Sequence, residues 1–135
     1  MSDTSKPSLV TRIDGPEDCA EQLSPNWEDI EKAIRRMDGN LCSLVILGIG
    51  DPTPHMGIGG GRDGKYVLYA TPDNWVFYNL VDPNASPGEQ VLIAGGQPAE
   101  YPNRQCLGLA EVLCAAKTYS ETGQLDSSLV WEEQE

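Results

Sequence analysis

The stretch His55–Tyr69, "HMGIGGGRDGKYVLY", decides the fold, because its glycines at 57, 59, 60 and 61 stand directly before a hydrophobic run. Such a segment either cradles a phosphate or turns the chain. A dinucleotide-binding loop needs G-x-G-x-x-G between a strand and a helix, since the helix N-terminus meets the pyrophosphate. Here Arg62 occupies the third-glycine position, and "KYVLYA" follows, which is strand sequence and not helix. A P-loop ends in G-K-[ST], and "GGGRDGKY" does not. Asp63-Gly64 is instead a pair favoured in tight hairpin turns, where φ is positive. The segment therefore reads as a strand or bulge entering a hairpin, with the missing side chains of Gly57–Gly61 letting another backbone come close.

Outward from that hairpin, the pattern is mostly strand. "LCSLVIL" (41–47) is apolar on both sides and predicts a central, covered strand, which "GIGDPTP" breaks. "HMGIG" is a short strand, and "KYVLYA" (65–70) a longer one. Pro72 starts a type I turn in "TPDN", and "WVFYNLV" (75–81) is aromatic and β-branched enough for a further strand. "DPNASPGE" is loop, "QVLIA" (90–94) a strand, and "GGQP" its end. Pro102 restricts the following segment to an edge strand around 103–107.

Two helices flank these strands. In "SPNWEDIEKAIRRMDGN", Ser24 or Asn26 can cap, Glu28, Asp29 and Glu31 suit the positive helix end, and Arg35 and Arg36 suit the other. Trp27, Ile30, Ala33, Ile34 and Met37 form its apolar face, and Gly39 is placed to stop it. "GLAEVLCAAKTYSETG" buries Leu109, Val112, Leu113, Ala116 and Tyr119, leaves Cys114 on the polar side, and ends at Gly123. Residues 1–23 are polar and read as mobile or loosely docked, with a short strand at Leu9–Ile13, while residues 24–135 make one domain closed by the Leu129-Val130-Trp131 anchor. The class is α+β: a mainly antiparallel sheet of about five to six strands with two main helices on one face.

Composition narrows the function. Twenty-one acids against nine bases give a net charge of −12, which repels nucleic-acid backbones and attracts basic protein partners. Neither an apolar signal core nor a membrane-length apolar run is visible, so the expected location is the cytoplasm. Cys19, Cys42, Cys106 and Cys114 are scattered without a C-x-x-C pair, and the one histidine, His55, has no ligand spacing around it, so reduced thiols and no metal are expected. His55 near Asp51 lacks a placed nucleophile, and the H-x-E…P-C-x-x-C pattern of zinc deaminases is missing. No catalytic set and no cofactor site emerge. The aromatics Tyr66, Tyr69, Trp75, Phe77 and Tyr78 exceed what two helices can cover on one face, so either loops cover the second face or some aromatics stand exposed among acids, as at interface centres.

The order "MGIGGGRDGKYVLY", "PDNWVFYNLVDP", "VLIAGGQPAEYPNRQCL" and "LAEVLCAAKTYSETGQLDSSLVWEE" resembles the bacterial immunity proteins of polymorphic toxin systems, specifically the first-numbered immunity family, over residues 25–133. That resemblance implies a cytoplasmic antitoxin that binds a cognate toxin, often a nucleic-acid deaminase, and covers its active site. The hairpin reading and the charge argument nominate Asp51, Asp63, Tyr66, Asp73 and Trp75 as partner-binding residues. A small-molecule or nucleotide-binding module, or a regulatory interaction domain, stands as the alternative.

Overall fold

The computed structural model describes residues 7–13, 19–23, 26–38, 42–49, 51–72, 75–94 and 97–134. Among them are nine strands and two α-helices, in the order β1 (Pro7–Ile13), β2 (Cys19–Leu23), α1 (Trp27–Arg35), β3 (Cys42–Ile49), β4 (Asp51–Gly60), β5 (Tyr66–Thr71), β6 (Tyr78–Val81), β7 (Glu89–Ala94), β8 (Gln97–Pro102), α2 (Leu109–Thr122) and β9 (Val130–Glu133). Seven strands form one antiparallel sheet, β2-β1-β3-β4-β5-β6-β9, and β7 pairs with β8 in a separate hairpin. The fold is α+β. The sheet is larger than the five to six strands expected, because β1, β2 and β9 extend its two edges. The strand expected at Leu9–Ile13 runs from Pro7 and pairs with β3, and Cys19–Leu23 is a strand where the sequence pattern suggests none.

Helix α1 begins with a reciprocal cap. The Asn26 side chain accepts from the Asp29 N–H at 2.8 Å, and the Asp29 carboxylate accepts from the Asn26 N–H at 3.2 Å. Two of the four orphan donors of the first turn are thereby satisfied, which settles the choice between Ser24 and Asn26. Gly39, the expected stop, lies outside the described residues. Helix α2 ends as expected, on Gly123 in the left-handed conformation (φ 73°).

Both helices cover one face of the sheet. Ile30 and Ile34 of α1 and Val112, Ala116 and Tyr119 of α2 join Val45, Leu47, Met56, Ile58, Leu68 and Leu80 in one buried cluster. Each fully buried aliphatic chain there contributes roughly 1.5–3 kcal/mol. The second face is covered by the β7–β8 hairpin, which lies across it with Leu92 buried and Ala94 against Gly59, while one of the aromatics, Trp75, stands exposed.

Three boundaries differ from the sequence reading. "GIGDPTP" does not break the sheet, because β3 continues to Ile49 and β4 begins at Asp51. Between the pairs Gly48↔His55 and Ile49↔Asp51 the register shifts, so Pro52 and Pro54 sit in a bulge, where a missing N–H costs little. The strand β6 starts at Tyr78 and not at Trp75, since only Asn79 and Tyr78 pair with β5. The edge strand is residues 97–102, and 103–105 form a 3-10 turn, leaving Leu107 to exchange two backbone hydrogen bonds with Tyr66 (2.9 and 2.7 Å). Pro98 and Pro102 are tolerated because β8 pairs on one side only.

Candidate functional site

The glycine run is filled by the protein itself. A Cβ on Gly57 would stand 2.2 Å from Tyr69 Cε1, and one on Gly59 would stand 2.5 Å from Ala94 Cβ. The first glycine therefore seats a tyrosine ring and the second seats the β7–β8 hairpin, so neither backbone faces an open phosphate-sized space. Gly61, at φ 110°, leads into the turn of residues 62–64, where Asp63 and Gly64 both have positive φ (56° and 71°). The hairpin reading holds.

The five nominated residues do not form one patch. Since β4 and β5 are antiparallel, with His55↔Thr71 at one end and Gly60↔Tyr66 at the other, Asp51 shares the sheet end with the connection after Thr71. Asp63 lies at the opposite end, about 20 Å away for a six-residue strand. Tyr66 is 4% exposed and belongs to the core, where burial raises its hydroxyl pKa and Arg35 offsets part of the rise. The side chain of Asp51, and Asp73 altogether, lie outside the described residues. Trp75 is 86% exposed.

The chain around Trp75 is held by backbone-directed bonds. The Thr71 hydroxyl donates to Val76 O at 2.7 Å, and the Gln134 N–H donates to Phe77 O at 2.7 Å. Six residues must reverse the chain between β5 and β6, so three residues expected in a strand form the bend instead. Beneath it runs an aromatic line on the sheet face away from the helices. The Tyr69 hydroxyl and His55 Nε2 are 3.1 Å apart, the two rings meet edge to face at 5.5 Å, and Phe77 follows at 5.7 Å from Tyr69. Burial raises the Tyr69 pKa, so its hydroxyl keeps its proton.

Acidic groups gather at the same end through β9. Its register with β6 places Glu133 opposite Tyr78 and Glu132 opposite Asn79. Glu132 is ion-paired with Arg104, whereas Lys117 and Glu121 form a loose exposed pair at 3.9 Å. Further along, Asp126 is a hub, accepting from Thr118 Oγ1 (2.6 Å), Ser128 N (2.8 Å), Ser128 Oγ (2.6 Å) and Cys114 Sγ (3.2 Å). The Ser128 and Thr118 hydroxyls hold its carboxyl well below the usual range, and the same contact pushes the exposed Cys114 thiol up, away from reactivity. Cys106 is buried, with its thiol also raised by desolvation. Among the described residues no three His, Cys, Asp or Glu side chains come together as metal ligands.

A family model described as Immunity protein Imm1 matches residues 18–133. The chain belongs to the Imm1 immunity protein family. The match opens one residue before β2 and closes at the end of β9, so the Imm1 region holds eight of the nine strands and both helices. The remaining strand, β1, lies outside the matched residues yet sits between β2 and β3 in the sheet. No curated protein matches the chain. None of the described helices of this Imm1 protein is long and apolar enough to cross a membrane. Sequence reasoning missed the β7–β8 hairpin as a cover for the second face. The signal for it was present in Gly57 and Gly59, whose two-residue spacing marks a sheet face without side chains.

Proposed function

We propose that this Imm1 protein is a cytoplasmic antitoxin that binds a cognate bacterial toxin, a nucleic-acid deaminase, and covers its basic active-site cleft. It acts by occupying that cleft, with no chemistry and no cofactor of its own. The observation that carries the reading is Trp75, 86% exposed on a chain of net charge −12 that belongs to an immunity family. A large aromatic held outside the core costs the free protein apolar hydration, a cost that disappears when a partner covers it. The contact surface is the sheet end where β4 begins at Asp51 and where Trp75 lies. Asp63 lies on the far side of the sheet, and Tyr66 supports the core beneath. Surplus acid steers a basic toxin into place and discourages the protein from binding the toxin's own substrate.

Titration of the purified chain into the toxin domain of the adjacent gene tests this. Deaminase activity on a nucleic-acid substrate should vanish at one equivalent, and the association rate should fall as salt rises. Full activity at a tenfold excess of this protein would sink the proposal.

A further inference from the structure

A cleft of about 320 Å³ opens between the C-terminal end of α2 and the start of the β5–β6 connection, lined by Ala70, Pro72, Tyr78, Tyr119, Gln124 and Leu125 among others. Tyr119 is 96% buried, being 4% exposed, and its hydroxyl has no hydrogen-bond partner among the described residues. No enclosed side-chain oxygen or nitrogen among those residues is left unpartnered, so the hydroxyl must open on the cleft. Tyr78 likewise lines the cleft without a hydrogen bond from its hydroxyl. Such a position is unusual for a tyrosine, which normally pairs its hydroxyl once the ring is buried.

No lining residue of the cleft is charged, and the groups around it are mainly negative. The last turn of α2 ends here, and the carbonyls of a helix C-terminus carry partial negative charge. Glu133 stands directly opposite Tyr78 on the same sheet face, exposed and without an ion pair among the described residues. Glu121 is exposed on the last turn, and the nearby cation, Lys117, is one turn back and 3.9 Å from it. Burial pushes the Tyr119 hydroxyl up to about 12, so it remains neutral and able to accept a hydrogen bond. The walls between are apolar: Ala70, Pro72 and Leu125. A long aliphatic stem with a planar cation at its end fits this combination, the stem along the apolar wall and the head between tyrosine oxygens and a carboxylate.

We infer that this cleft receives an arginine side chain of the cognate toxin, whose guanidinium donates to Tyr119 and to Glu133 while its stem lies on Ala70 and Leu125. The inference rests on the proposed toxin-binding function. It adds a second anchor to the Trp75 end of the sheet, since Pro72 borders the cleft and Trp75 follows three residues later.

Dissociation rates of the complex with the toxin domain test the assignment, using Glu133→Gln, Tyr119→Phe and Gln124→Trp. Tyr119→Phe removes a hydroxyl that pairs with nothing in the free protein, and Gln124 is exposed, so both variants should melt as the wild type does. We expect release to quicken roughly tenfold for E133Q and about fivefold for Y119F, as for charge-assisted hydrogen bonds lost at an interface. Covering the cleft in Q124W should quicken it by roughly thirtyfold or more. A wild-type chain that cannot hold the toxin overturns both this inference and the proposed function. A toxin held by the wild type and released at the same rate by all three variants overturns the cleft alone. Faster release from Q124W with E133Q and Y119F unchanged means an apolar occupant and overturns the arginine.

Discussion

The turn that enters β5 and the connection that leaves it are alike in length, five and six residues, yet their surroundings are opposite. At the entry, Gly61 at φ 110° lies so close to α1 that a Cβ there would meet the Met37 backbone at 2.7 Å. The Gly61 N–H also donates to Lys65 O at 2.7 Å. At the exit, Trp75 is 86% exposed, with the chain fastened by Thr71 and Gln134 through backbone carbonyls. One turn is held against the fold, and the other presents a side chain outward. The difference lies in what lies nearby: the end of α1 reaches the entry, whereas the open edge strand β9 and the end of α2 flank the exit. Substitutions in the two regions should therefore move different observables.

The largest effect is expected from Gly57→Val, which forces two γ-carbons into the Tyr69 ring. Thermal or urea unfolding should show a loss of about 3 kcal/mol or more, or no folded protein at all. A stable G57V chain would mean that Tyr69 can leave its seat, and the closed region would not be closed. Trp75→Ala should do the reverse, changing stability by no more than ~0.5 kcal/mol while weakening toxin binding by about 2 kcal/mol, near thirtyfold. Calorimetric binding at wild-type strength would remove the exit connection from the interface.

The Asp126 hub sharpens the comparison through pH. Its folded pKa is depressed by the Ser128 and Thr118 hydroxyls, so its stabilisation is present above the unfolded carboxylate's pKa of about 3.9 and is lost as pH falls toward the folded value. Unfolding midpoints measured down an acid series should therefore fall less steeply for Asp126→Asn than for the wild type. The smallest effect belongs to Asp63→Asn, since Asn accepts positive φ as readily as Asp. Stability within ~0.5 kcal/mol and toxin affinity within about twofold are expected. A marked loss of affinity would bring the entry turn into the interface after all.

Local patterns were legible where they depended on near neighbours. A cap at Ser24 or Asn26, the Gly123 stop, the buried stripe of α2 and the Asp63-Gly64 hairpin each rest on residues within a few positions of one another, although only the structure chose Asn26 and paired it with Asp29. The edge strand was misplaced at 103–107, because Pro102 suggests an edge but the register of β7 with residues 97–102 decides where it lies. The candidate site fared less well. By pattern Asp63 belongs to a turn and Trp75 to the start of a strand, and only strand direction and pairing separate them by the length of β5.

The sequence by itself determined the α+β class, the order of most elements, the hairpin at the glycine run and the acidic character of the surface. These follow from periodicity, turn chemistry and composition, which act over a few residues or over the whole chain at once. Tertiary structure alone decided that Tyr66 is buried and Trp75 exposed, that Tyr69 and Ala94 fill the glycine face, and that Tyr119 and Tyr78 line one cleft, with Glu133 opposite Tyr78 in the sheet. Those outcomes depend on which segments distant in the chain come to lie together, and burial is a property of that meeting, which no single residue carries.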